Sequence, residues 1–265
     1  MMELAREDGT FDVLRVEHRR DGEVRTTYRP GDQSPEPIDE SYDSALLEGT
    51  TIPACSDSAY NLYPSQVASQ PYFLVNDDVL SETVTSAAMM KQAMLNGGSN
   101  IVNARNDCGL PDNVDAPALS GVGDTSLRSQ FYVANGDHHC TDYDVWSVVE
   151  LGTLYGAFAS ACIMWWDNGD ILSADVRFNR DKNWFIGSPP SCATKTYHDM
   201  EGTATHELGH VYGLKHAVAD GAPLSEHTLH ADLTMHGFAP GSFRKCQTRY
   251  RTLGKGDILG LEAKY

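Results

Sequence analysis

His206-Glu207-Leu208-Gly209-His210-Val211-Tyr212-Gly213-Leu214-Lys215-His216 is the stretch that decides how this chain is read. Two histidines four residues apart share one face of a helix, one turn apart, where both imidazoles can bind one metal ion. Glu207 follows the first of them, and its carboxylate can reach a metal-activated water without itself binding the metal. Gly213 sits where the helix must stop, because glycine tolerates the positive φ of a sharp turn. The turn can return His216 as a third ligand. Three protein ligands leave one position open, which marks a catalytic rather than a structural zinc site. With 10 His and 23 Gly in 265 residues, chance would produce this spacing about six times in 100,000 such chains.

The helix itself has local signals. Asp199 is a suitable N-cap, Glu201 suits the positive end of the dipole, and the spacing predicts a helix from Asp199 to about Tyr212. Upstream, Pro71 to Leu80, Tyr143 to Leu151, Ala157 to Trp166 and Ala174 to Asn179 read as strands. A helix is expected over Ser81 to Leu95, capped by Ser81 and ended by Gly97-Gly98, and another over Gly256 to Tyr265. Residues 103–130 and 217–252 read as irregular. Strands followed by a helix, loops and a last helix indicate an α+β fold.

The first 54 residues differ from the rest. They hold six Arg, no Lys and 13 acidic residues, and so carry -7 of the net charge of -17. Asp21-Gly22, between Phe11 to Arg20 and Glu23 to Tyr28, predicts a hairpin. Residues 30–50 read as a linker. The chain therefore divides into an N-terminal extension, 1–54, read as a pro-segment, an accessory hairpin or a plain extension packed on the main domain, and a catalytic domain, 55–265.

Charge excludes some functions. With 37 acidic and 20 basic residues, the chain has no excess of cations for gripping nucleic acid or anionic membranes. The most apolar stretch, Ala157 to Trp166, is half the ~20 residues needed to span a bilayer, so no membrane insertion is expected. Neither a G-x-S-x-G nor a phosphate-binding loop is present. No apolar leader follows Met1 in the sequence given. Six cysteines, none in a C-x-x-C pair, favour three disulfides and an oxidising compartment, hence a secreted protein whose leader has been removed.

The pattern H-E-x-x-H-x-x-G-x-x-H resembles the signature of metzincin zinc peptidases. Leu233-Thr234-Met235-His236 resembles their Met-turn, with Met235 as the apolar floor beneath zinc. Leu253 to Leu261 and Ala174 to Asn179 resemble the C-terminal helix and a strand of matrixins, and residues 55–265 are similar to small disulfide-bearing microbial matrixin-like peptidases. The resemblance implies a twisted mixed β-sheet, an active-site helix, an irregular C-terminal part with a Met-turn, and a C-terminal helix. It implies one catalytic Zn2+ held by His206, His210 and His216, Glu207 as general base, and protein or peptide substrates lying along the strand around Phe158 to Trp165. A pocket walled by residues 237–252 is expected to receive a substrate side chain.

Ca2+ is possible near Asp170 and Asp175, although both read better as solvated surface carboxylates. Asp107-Cys108-Gly109-Leu110-Pro111-Asp112 resembles the matrixin cysteine switch, but Asn106-Asp107 replaces the usual Pro-Arg and a disulfide is the better reading. The resemblance suggests the pairs Cys108–Cys140, Cys162–Cys192 and Cys55–Cys246. His236 reads as near the site or on the surface, His227 and His230 as solvent-exposed, and His138 and His139 as unconnected with metal. The alternative from another class is a zinc-stabilised binding protein with little turnover. Oligomeric state is open.

Overall fold

A computed structural model of the chain describes residues 51–78, 86–134, 137–140, 144–154, 157–191, 196–219, 222–237 and 246–265, with the backbone of three strands before them. Those three, β1 (Met2–Ala5), β2 (Phe11–His18) and β3 (Val24–Arg29), form an antiparallel sheet in that order. The hairpin expected around Asp21-Gly22 is therefore present as β2–β3, although the turn itself lies outside the described residues.

The main sheet has five strands. They are β5 (Tyr72–Asn76), β6 (Gly121–Thr125), β9 (Val148–Gly152), β10 (Ala159–Trp165) and β11 (Ile171–Asn179), in the order β10-β11-β9-β5-β6. Four are parallel and β10, at the edge, is antiparallel to β11. The alternation of side chains across the pleat sends Phe73, Val75, Val149, Leu151, Val176 and Phe178 into the core. β1 runs close to β10 without joining its ladder. Short strands β4 (Asn61–Leu62) and β14 (Leu214–Lys215) pair with each other. So do β7 (Phe131–Ala134) with β8 (Asp137–Cys140), and β12 (Trp184–Phe185) with β13 (His198–Asp199).

Strand β6 lies inside a stretch expected to be loop. Its Gly121 and Gly123 hide the usual strand pattern, yet the tertiary structure needs them: β-carbons there would run into the Tyr72 ring of the neighbouring strand. The first long helix is likewise displaced. α1 spans Ala87–Val102 with Ser86 as N-cap, whereas Ser81 lies outside the described residues. Gly97 and Gly98, expected to stop it, are inside it. A β-carbon on Gly97 would sit 2.9 Å from the backbone nitrogen of Thr205, so Gly97 is the contact that lets α1 press against the second helix, α2 (Met200–Val211). A short helix, α3 (Leu224–Leu229), interrupts the irregular C-terminal part, and α4 (Lys255–Lys264) ends the chain.

Disulfides correct the suggested pairings. Cys55 pairs with Cys108, with α-carbons 5.0 Å apart, and Cys140 pairs with Cys162 at 5.8 Å. Cys108–Cys140, Cys162–Cys192 and Cys55–Cys246 are thereby ruled out as a set. Cys246 is also bridged, and no described cysteine is free. The physical reason is the sheet: Cys162 sits on edge strand β10 and reaches the β7–β8 hairpin above it. Cys108 follows α1, which returns it to the start of the domain at Cys55.

Asp175 is a second correction. It is buried on β11 and accepts hydrogen bonds from the backbone of Gln130 and, at 2.7 Å, of Val148. It is a structural carboxylate that ties the loop at Gln130 and the start of β9 to β11, not a solvated one. Burial pushes it up to about 7, against those two backbone donors. Beside it, Glu150 and Arg177 form a buried ion pair at 2.5 Å that also gathers Ser129. Asp170 is half-buried at a bridge to Gln66 and accepts from Asn168. No metal cluster involving Asp170 or Asp175 occurs among the described residues.

Candidate metal centre

All twelve residues of α2 are buried. The helix passes between the sheet, α1 and the C-terminal part, which is why its sequence lacks a simple polar face. Asp199 caps it by accepting from the Gly202 N–H at 3.1 Å. Arg251 holds that cap with two bonds to Asp199, at 2.6 and 2.7 Å. Asn100 of α1 donates to Thr205 at 3.1 Å, and Asn96 to Glu201 at 2.9 Å, fixing the helix lengthwise. Gly213 then takes φ of 91°, with no room for a β-carbon beside the Ser65 carbonyl. The chain turns there and enters β14, which delivers His216.

His206, His210 and His216 come together as expected. One ring nitrogen of each lies within 4.8 Å of the others, and all three residues are buried. Their ring centroids are 4.7–5.3 Å apart. Two rings are oriented by the backbone: His206 Nδ1 donates to the Thr234 carbonyl at 2.6 Å, and His210 Nδ1 to the Leu214 carbonyl at 2.9 Å. A carbonyl accepts only from N–H, so the proton is on Nδ1 and the Nε2 lone pair is left for a metal. Asn61 of β4 donates to the carbonyls of His216 and Ala217, both at 3.1 Å. Glu207 is buried on the same helix.

Met235 lies under the site. Its backbone carbonyl accepts from Ala217 N–H at 2.7 Å, so the Met-turn is tied to the residue after the third histidine. Asp257 holds the turn from the other side. This fully buried carboxylate accepts from the backbone N–H groups of Thr234, Met235 and Gly254, at 2.8–3.1 Å. One side chain thus caps α4 and shapes the loop whose Thr234 carbonyl orients His206. Burial pushes Asp257 up to about 6, while the three N–H donors pull the other way. Sequence reading passed over Asp257; its signal was the spacing Gly254 to Asp257, that of a helix capping box.

A pocket opens beside His206. Its walls include Phe158, His198, Thr203, His236, Gln247 and Tyr250. Only Gln247 and Tyr250 come from the stretch expected to wall it; residues 238–245 lie outside the described residues. His236 is buried, stacked on Tyr250 with centroids 4.5 Å apart, so it is not a surface residue. His198, which sequence reading did not single out, packs on Phe158 at 4.5 Å. His227 is buried and His230 bonds Asp57 at 2.8 Å, so neither is simply solvent-exposed. The side chains of His138 and His139 lie outside the described residues.

Helix, histidine triad, turn and Met-floor together form the arrangement that the resemblance to metzincin metallopeptidases implies. Residues 128–232 match the family model of the peptidase M10 group, described as matrixin, so over this span the chain is matrixin-like. That stretch carries β9 to β11 and all three histidines. A search of curated proteins finds no match to the sequence.

Proposed function

We propose that this chain is a secreted zinc endopeptidase, with His206, His210 and His216 as metal ligands and Glu207 as catalytic base. The convergence of three buried imidazoles next to a buried carboxylate carries this reading. The donor set fits zinc: three neutral nitrogen donors, two with their protons committed to backbone carbonyls, suit a borderline-soft cation with an open position. When bound, zinc supplies a Lewis acid that makes water acidic near neutral pH and polarises the substrate carbonyl.

The protein's own residues do the rest. Glu207 takes a proton from the attacking water and passes it to the leaving amine. Edge strand β10 offers its outer backbone groups to an extended peptide, which aligns the cleaved bond by β-augmentation. The pocket beside His206 takes the neighbouring side chain. Disulfides at Cys55–Cys108 and Cys140–Cys162 are compatible with an oxidising, extracellular setting. No described helix is long and apolar enough to cross a membrane.

Residues 1–54 are read as a segment separate from the catalytic domain 55–265. The course of β1 close to β10 supports a covering role for it, because β10 is the strand a substrate would use.

Cleavage of a mixed peptide library by the zinc-loaded protein, read by mass spectrometry beside Glu207→Ala, tests the reading. Cleavage by the wild type alone supports it. If neither form cleaves, with zinc bound and residues 1–54 removed, the chain is a zinc-stabilised binding protein instead.

A further inference from the structure

The third candidate ligand does not share the scaffold of the other two. His206 and His210 stand four apart on α2, so helical geometry sets their distance. His216 lies beyond the Gly213 turn, next to a strand pairing of only two residues, β14 with β4. So short a ladder leaves the following residue weakly fixed, and Asn61 adds a clamp from its side chain. Its Nδ2 donates to the carbonyls of His216 and Ala217, both at 3.1 Å, so one amide grips two successive peptide groups at the ligand. The Met235 carbonyl, which accepts from Ala217 N–H at 2.7 Å, supplies a second hold on the same pair of residues.

Asn61 is itself anchored. It pairs with Lys215, and two residues on, the Tyr63 N–H donates to the Gly213 carbonyl at 2.8 Å. Lys264 Nζ of α4 donates to the Tyr63 carbonyl at 2.8 Å. Upstream, the Ile52 N–H donates to the Leu229 carbonyl at 2.8 Å, and the Ala54 carbonyl accepts from Lys255 N–H at 2.9 Å. Asp57 bonds His230 at 2.8 Å, and Cys55 is bridged to Cys108. α4 makes room for this strap: a β-carbon on Gly256 would collide with the Ala59 carbonyl. Residues 52–63 are thus fastened along their length, and the fastening ends at the carbonyl of His216.

We propose that Asn61 is a positioning residue of the metal centre, which acts through the His216 backbone to set where the third imidazole stands. The strap is then part of that centre, although it lies outside residues 128–232. This rests on the reading of the three histidines as zinc ligands. The chemistry requires an amide, because only N–H groups can donate to two carbonyls. A carboxylate of the same shape sets oxygen against oxygen. Asn61 is exposed, so trimming it opens no cavity in the core.

Zinc affinity of the full chain, by competition with a chromophoric chelator, and the visible spectrum of its cobalt(II) form test the proposal. Asn61→Ala and Asn61→Asp should bind zinc about tenfold more weakly, in the range usual for residues that orient a ligand. Their cobalt spectra should shift as the third nitrogen moves. Asn61→Gln, which keeps the amide, should recover part of the affinity. Asp57→Asn is the reference: it loosens the same strap away from His216, so it should lower the melting temperature and leave the cobalt spectrum as it was. Wild-type affinity and spectrum in both Asn61→Ala and Asn61→Asp overturn the proposal. So does an equal spectral shift in Asp57→Asn, which would reduce the effect of Asn61 to general stability. A wild type that binds no zinc removes the ligand reading and this proposal with it. Zinc binding that depends on Asn61, without cleavage of any peptide, keeps the proposal and removes the peptidase reading.

Discussion

The Sδ of Met235 occupies the space that a β-carbon on Gly209 would take. Gly209 is the fourth residue of the H-E-x-x-H run, so the helix that carries two of the three candidate ligands also leaves a notch for the turn beneath them. Gly209→Ala should therefore displace Met235 and lower stability by about 1–3 kcal/mol, the usual cost of overpacking. Thermal unfolding and zinc competition measure it. The double variant Gly209→Ala with Met235→Ala should recover part of the loss. An unchanged melting temperature in the single variant would show that the Met-turn is not packed on the helix.

Glu207→Ala should bind zinc as the wild type does and lose about 10²- to 10⁴-fold in turnover. Zinc content by atomic absorption, beside peptide cleavage, tests the assignment. Loss of zinc in this variant would make Glu207 a ligand or a support for one.

Asp257→Ala should loosen His206 without touching it. Three backbone N–H groups lose their acceptor, and a single buried unsatisfied group costs about 1–3 kcal/mol. Stability should fall by several times that of an ordinary surface change, and zinc affinity should fall with it. A variant that is destabilised but binds zinc normally would detach the Met-turn from ligand positioning.

The pH dependence follows from Asp175. Its folded pKa, about 7, is raised above the ordinary 3.8. Folding therefore favours the protonated form, and the associated stability is present below pH 4 and lost as pH rises towards 7. Chemical denaturation of the chelated protein from pH 4 to 8 should show this decline, and Asp175→Asn should flatten it. Identical pH profiles would mean that Asp175 titrates normally in the fold.

Disulfide mapping should recover Cys55–Cys108 and Cys140–Cys162. The first closes a 53-residue separation, for which chain entropy gives about 4 kcal/mol; Cys108→Ser should remove much of it. Recovery of Cys108–Cys140 by peptide mapping would refute the pairing.

The sequence by itself determined the candidate metal centre, because its parts are local. His206, Glu207 and His210 are fixed by helical periodicity, and Gly213 and His216 by one turn. Asp199 as N-cap was legible for the same reason. Tertiary structure decided everything that depends on which distant segments meet. Gly121 and Gly123 look like loop until Tyr72 lies across them. Gly97 looks like a helix stop until Thr205 packs against it. The cysteine pairs depend on how β10, the β7–β8 hairpin and α1 fold back, and spacing holds no record of that. The spacing Gly254 to Asp257 marks only a helix start, yet burial gathers three backbone donors from two segments around the Asp257 carboxylate. Short-range geometry is written in residue order. Long-range contact is chosen by the burial of the whole core, and that is where the supports of this site were hidden.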